Sequence, residues 1–173
     1  NVGTILWAQD VGPALLHNKL KKFGIGTKSE LNFPGEANGI LLPVEKWSGT
    51  SLPTIAIGQG VSVTPVQMLT AYATIANRGL KPAPTLVRGM GDDVEVMKST
   101  EKEQPERIIE SRTAESLVKI IEAVVASGTG KRAQVPGYRV AGKTGTAWKP
   151  QIGGYGEEEA DRRYIATFAG FFP

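Results

Sequence analysis

The sequence predicts an α+β fold in which helices come first and an antiparallel pair of strands closes the chain. Helical spacing with start and stop signals recurs before residue 128, and two strand-like runs follow at about 138–147 and 163–172. No strand alternates with the helices in the way that builds a parallel sheet, so helices against an antiparallel sheet are expected. With 173 residues, 40% of them hydrophobic, the chain is long enough for one core.

The elements follow in order. "TILWAQDVGPALLHNKLKKFGIG" starts as a helix, breaks at Gly12 and restarts at Pro13, because proline suits a first helical position. Leu15, Leu16, Leu20 and Phe23 recur at helical spacing, and Gly24 ends the run. Residues 25–63 are rich in Gly, Pro and Ser, with "FPGEANG" and "WSGTSLP" as turns, so an irregular segment is expected. The next helix is well marked. Thr64 caps it, Pro65 starts it, Gln67 completes a capping box, and "ANRG" closes it at Gly79. "PTLVRGMGDDVEVM" reads as a hairpin turning at Gly91-Asp92-Asp93, and "STEKEQPE" as a charged loop. From Ser111 to Ser127, Leu117, Val118, Ile120, Ile121, Val124 and Val125 give a further helix, ended by Gly128. The Gly- and Glu-rich loop 150–161 joins the two strands.

Composition excludes several classes. A formal charge of +3 is too small to argue for nucleic acid, and the basic "HNKLKK" and acidic "GEEEADRR" blocks read as solvated faces. With no cysteine there are no disulfides and no thiolate metal sites. His17 is the sole histidine and lies among lysines, so a histidine triad or histidine-rich metal site is not expected, and a surface position is. No metal and no cofactor is implied. The sequence shows no signal peptide and no membrane span. It begins at Asn1 in an apolar pattern and stops at Pro173 after "YIATFAGFF", so the expectation is a piece of a longer protein.

The stretch "YRVAGKTGTAWKP" carries the chemistry. Gly137 to Thr144 matches the phosphate-loop pattern in letters, but that motif needs a helix beginning at its lysine. Here Lys143 is followed by Gly145, β-branched Thr146 and Pro150, and "YRV" before it is itself strand-forming. A strand puts Lys143 on one face and Thr144 and Thr146 on the other. Gly142 and Gly145 weaken a strand unless another backbone approaches closely. Two readings stand side by side. A lysine between glycines on an edge can hold an anion while an extended peptide lies along the strand, or it can simply guard the edge against aggregation.

"GKTGTA" resembles the third signature of the penicillin-binding proteins and serine β-lactamases. "NVG" at Asn1 resembles the end of the second, Ser-x-Asn, whose serine would lie two residues upstream. "IAIGQGVSVTPVQMLTAYATIANRG" is similar to the segment linking these signatures in peptidoglycan transpeptidases. "YIATFAGFFP" resembles the strand after the lysine motif in the monofunctional, division-type class B members. The resemblance spans nearly the whole chain in the expected order. It implies that residues 1–173 are the C-terminal portion of a D,D-transpeptidase domain, with the nucleophile segment and the final strands and helix outside them.

In that family a serine attacks the penultimate D-alanine carbonyl of a peptidoglycan stem peptide, and an amine from a second stem resolves the acyl-enzyme. The nucleophile belongs to a Ser-x-x-Lys signature that precedes Ser-x-Asn. The matches "STEK" (Ser99 to Lys102) and "SLVK" (Ser116 to Lys119) come after Asn1, in the wrong order, and are taken as decoys. Residue by residue, the resemblance implies that Asn1 bonds the substrate amide and orders the catalytic lysine. Lys143 would add positive potential near the Ser-x-Asn serine. Thr144 and Thr146 would offer hydroxyls to the terminal carboxylate. The Thr146 N–H would join the oxyanion hole, and Gly145 would let the substrate backbone pair along the strand. Tyr164 resembles an aromatic lining the cleft, with core packing the alternative; Trp148 follows the motif and could face the cleft. "GQG" at Gly58 to Gly60 reads as a turn near the site, and Trp7 and Trp47 as core residues.

The implied partners are peptidoglycan stem peptides and β-lactam antibiotics, with division proteins reached through other regions and no nucleic acid. The implied location is the cell membrane, on its outer face. A β-lactamase or a non-catalytic penicillin sensor on the same scaffold are the alternatives.

Overall fold

A computed structural model describes residues 1–31, 33–86, 105–152, 154–155 and 161–172. The hairpin turn expected at 91–93 and the Ser-x-x-Lys match at 99–102 lie outside the described residues, as does most of the second half of the loop 150–161. Among the described residues the order is five helices and then two strands. The α+β expectation holds.

Helix α1 (Val2–Val11) ends where Gly12 takes φ 80, and α2 (Pro13–Lys22) starts with its proline in the first turn. Lys19, Lys21 and Lys22 close α2, where the negative end of the helix dipole favours cations. The segment up to residue 63 is less irregular than its composition predicts. It holds one 3-10 turn (Val44–Lys46) and a short helix α3 (Ser51–Ala56). The "WSGTSLP" turn is thus half helix. Thr54 sends both its N–H and its hydroxyl to the Thr50 carbonyl, Pro53 sits where no intrahelical donor is needed, and buried Ile55 anchors the turn as α3 packs on α1.

Helix α4 (Pro65–Ala76) carries the expected capping box: the Gln67 N–H donates to Thr64 Oγ1 and the Thr64 N–H to Gln67 Oε1. Gln67 does more than cap. Its Nε2 donates to the Thr27 carbonyl at 2.6 Å and the Asn38 carbonyl at 2.7 Å, and the residue is 2% exposed. One buried amide therefore ties two points of the irregular segment to the start of α4. After α4 the chain turns at Gly79 (φ 85), whose carbonyl accepts from Ile108 and Ile109; a Cβ there would run into the Ile109 carbonyl.

Helix α5 (Ser111–Ser127) buries Ala114 and Val125, while Ile120 of the expected apolar stripe stays exposed. Strands β1 (Ala141–Trp148) and β2 (Tyr164–Phe171) form an antiparallel ladder with Lys143 opposite Ala169 and Thr146 opposite Ala166. Helix α5 packs on β1, and α4 packs on both α5 and β2. The first strand starts three residues later than predicted, because Gly137 at φ 84 and a turn from Val135 to Tyr138 precede it.

Two expectations about single residues are corrected. Trp7 is 77% exposed rather than part of the core. His17 is half-buried rather than on the surface: its ring meets Trp47 edge-on at 6.0 Å, and its Nε2 is enclosed without a partner. Trp47 is half-buried, with its Nε1 donating to the Leu42 carbonyl at 2.8 Å. No described helix is long and apolar enough to cross a membrane, and no cluster of three His, Asp or Glu suited to a metal occurs among the described residues.

Candidate active site on the free edge of β1

The ladder decides which backbone groups of β1 are free. Beyond its last pair, the Lys149 N–H donates to the Arg163 carbonyl at 2.8 Å in the same register. Hydrogen-bonded pairs alternate along an antiparallel ladder, so Lys143, Gly145 and Ala147 point their N–H and C=O groups at β2. Gly142, Thr144, Thr146 and Trp148 point theirs the other way. No described strand pairs with that side. The free edge thus presents the N–H and C=O of Thr144 and Thr146 to whatever lies beside it.

Side chains alternate too. Lys143 shares a face with Gly145 and Ala147, and Thr144, Thr146 and Trp148 share the other, as the sequence predicts. The exposed Lys143 folds back over the edge, where its Nζ donates to the Thr144 carbonyl at 2.8 Å and lies 3.5 Å from Thr144 Oγ1. A cation and an N–H with no strand partner among the described residues, that of Thr146, therefore lie three residues apart on one strand edge. Such an arrangement binds an extended chain ending in an anion: the edge pairs with its backbone and the ammonium attracts its charge.

The two glycines are close-approach positions, as expected, but the neighbour is β2 of this chain, toward which Gly145 also points its N–H and C=O, rather than a substrate backbone. A Cβ on Gly142 would meet the Phe168 ring and lie 2.9 Å from the Ala169 carbonyl oxygen, and one on Gly145 would lie 2.6 Å from Thr167 Oγ1. Both glycines make room for β2 within this chain.

The other expected residues fall in two groups. Tyr164 stands opposite Trp148, on the face that carries Thr144 and Thr146, and is 49% exposed, so it is not a core residue. Trp148 is also exposed, with the Arg162 guanidinium 4.7 Å above its ring and Tyr155 at 6.1 Å between centroids. These aromatics continue the strand's threonine-bearing face. Asn1 lies on a different element. It is exposed at the start of α1, its side chain caps no N–H, and α1 packs on α2 and α3. Gly58 and Gly60 form a turn after α3 with φ 86 and 72. Ser116 of the second Ser-x-x-Lys match donates to the Arg112 carbonyl one turn back at 2.9 Å, an ordinary helix-surface serine.

One residue at the site escaped the sequence reading. Thr129, in the turn after α5, accepts a hydrogen bond from Thr144 Oγ1 at 3.0 Å. The only sequence signal was its place between Gly128 and Gly130, which reads as a plain helix stop.

Comparison with known proteins agrees with the signatures. The family described as the penicillin binding protein transpeptidase domain matches residues 1–173. The chain is 41% identical over its whole length to the penicillin-binding protein PbpB of Mycolicibacterium smegmatis and 38% identical to the stage V sporulation protein D of Bacillus subtilis. It spans 28% and 26% of the length of these two relatives. Among solved structures, penicillin binding protein 3 of Mycobacterium tuberculosis complexed with ampicillin matches 98% of this chain and 38% of its own, at 35% identity and a TM-score of 0.80.

Proposed function

The chain belongs to the transpeptidase domain of class B penicillin-binding proteins, and from that premise we propose that it forms part of a peptidoglycan D,D-transpeptidase. The observation that carries this reading is the edge of β1, where the N–H of Thr146, without a strand partner among the described residues, lies three residues along from Lys143. A stem peptide, or a β-lactam in its place, lies along this edge with its carboxylate toward Lys143 and Thr146. The Thr146 N–H then meets the carbonyl oxygen at which negative charge develops, and a positioned donor there is among the larger contributions to catalysis.

The nucleophilic serine and its lysine come from a segment outside residues 1–173, as the order of signatures requires. The serine oxygen bonds to the penultimate D-alanine carbonyl carbon, and the tetrahedral intermediate collapses with loss of the terminal D-alanine, whose amine takes a proton. The amine of a second stem then attacks the ester and releases the serine. Asn1 contributes the substrate-amide contact and Tyr164 a wall of the cleft. The full protein works at the outer face of the cell membrane, and the identity to one protein named for sporulation and to peptidoglycan D,D-transpeptidase FtsI of Buchnera aphidicola favours a division or septum role with division proteins as partners. These names also favour synthesis over β-lactam hydrolysis or sensing.

Reaction of the full-length protein with a fluorescent penicillin tests the reading. A stable adduct at a serine outside residues 1–173 is expected. Rapid turnover of the label points instead to a β-lactamase, and no adduct rejects the reading.

A further inference from the structure

The face of β1 that carries Thr144 and Thr146 does not end at Trp148. The Lys149 N–H still donates to the Arg163 carbonyl at 2.8 Å, so the register of the ladder runs one pair past both strands. Further out, Gln151 Nε2 donates to the Asp161 carbonyl at 2.9 Å and ties the two limbs of the hairpin together. Side chains alternate along this extension, which puts Arg162 on the face of Tyr164 and Trp148 and puts Lys149 and Arg163 on the other. There the Arg162 guanidinium lies over the Trp148 ring, 4.7 Å from its centroid.

This cation is placed without being neutralised. Arg139 is paired with Glu122, and Arg107 donates to backbone carbonyls. The half-buried Arg162 side chain has no hydrogen bond or ion pair among the described residues: its Nε is enclosed without a partner, and what holds it is the ring. A contact through the ring face engages the charge and leaves the guanidinium its N–H donors, in the fork that suits a carboxylate.

The free edge decides which part of a substrate comes near it. With its carboxylate toward Lys143 and its scissile carbonyl at the Thr146 N–H, a stem peptide runs antiparallel to β1, its N-terminal part toward Trp148. The penultimate D-alanine then pairs with Thr146, the residue before it stands opposite Ala147, and the one before that stands opposite Trp148. Opposed residues of an antiparallel ladder share a face, so this last one is on the face of Trp148 and Arg162. In a stem peptide it is the D-glutamate linked through its γ-carboxyl, and its α-carboxylate is a free branch of the chain.

We propose that Arg162, held on Trp148, is a specificity-determining residue that recognises a free carboxylate two residues before the penultimate D-alanine. The proposal rests on the reading of the β1 edge as the strand partner of the stem peptide. It assigns to the hairpin beyond β1 a substrate contact separate from the terminal-carboxylate site at Lys143 and Thr146.

The test uses the full-length protein and two stem-peptide thioesters that end in the same D-alanyl thioester. They differ only at the second residue, which is D-glutamate in one and its α-carboxamide in the other. The wild type prefers the carboxylate by roughly 5-fold or more in kcat/KM, the weight of one partly exposed ion pair. Arg162→Gln brings the ratio close to one, and Arg162→Lys keeps part of it. Acylation of Arg162→Gln by benzylpenicillin, which has no group at that position, stays within about 2-fold of wild type, a result that a merely structural role for Arg162 would not give. The ratio of two thioesters on one sample does not depend on how much of the protein is folded. No preference in the wild type, or a preference that survives Arg162→Gln, overturns the proposal. Lys143→Ala is measured with benzylpenicillin alongside: a wild-type rate there means that the reading of the edge has failed and this proposal with it, whereas a slow Lys143→Ala beside an unchanged thioester ratio removes only the role of Arg162.

Discussion

The Lys143 ammonium donates to the Thr144 carbonyl oxygen at 2.8 Å, across the edge of β1 that β2 leaves unpaired. The contact is between neighbours in sequence whose side chains point to opposite faces. It forms because the lysine stem is long enough to wrap around an edge with no partner strand. An incoming anion beside Thr146 offers the ammonium a charged acceptor in place of a neutral one, which adds the attraction between two opposite full charges.

Replacing Lys143 by Ala in the full-length protein should therefore slow acylation by β-lactams by about 10²-fold or more, the usual weight of one well-placed electrostatic donor. Lys143→Arg should rescue only part of the rate, since a planar fork does not reproduce a point charge on a flexible stem. Stopped-flow acylation kinetics give both values, and unchanged rates for Lys143→Ala would remove the lysine from the site.

Thr146→Val separates the hydroxyl from the backbone N–H, which the substitution keeps. Drugs that carry the carboxylate should lose roughly 1.5–3 kcal/mol of transition-state binding, the range for a hydrogen bond to a charged group. Analogues without the carboxylate should lose little. Equal losses for both sets would show that the hydroxyl serves some other group.

Gln67 predicts a stability effect far from β1. Gln67→Ala abandons the Thr27 and Asn38 carbonyls and the cap of α4, and should cost roughly 2–4 kcal/mol in chemical denaturation of the full-length protein. Gln67→Glu keeps the cap acceptor but sets a carboxylate against two carbonyl oxygens, so it should be no more stable than Gln67→Ala. Near-wild-type stability of Gln67→Ala would mean that the irregular segment is held by other contacts.

Burial raises the Tyr72 phenol above its ordinary value of 10.0. The folded state thus favours the neutral phenol, and a raised folded pKa gives stability that is present below the unfolded pKa and lost as pH rises through the folded one. Tyr72→Phe should therefore flatten the alkaline limb of the stability profile above about pH 10. Parallel profiles for the two proteins in that range would contradict the linkage.

How much of this was legible in the sequence depended on how local each signal was. Helix α4 was readable from Thr64, Pro65 and Gln67 because a capping box lies within four residues. The alternation of Lys143 against Thr144 and Thr146 was readable because a strand has a period of two. Helix α3 was missed, since six residues with a proline show no periodicity and the helix packs on α1, which is distant in sequence. The free edge depends on the pairing of Lys149 with Arg163, and Thr129 reaches a partner fifteen residues away. Neither leaves a mark in the local pattern. The glycines of the motif were legible as close-approach positions, but only the register shows that Phe168 and Thr167 occupy the space.

The most direct test of the central claim is a crystal structure of the full-length protein acylated by ampicillin. The carbonyl oxygen of the acyl group should accept from the Thr146 N–H at about 3 Å, and the drug carboxylate should lie within about 3 Å of Thr146 Oγ1 with the Lys143 ammonium moved off the Thr144 carbonyl. An acyl-enzyme whose carboxylate lies elsewhere, with Lys143 still folded over an empty β1 edge, would contradict it.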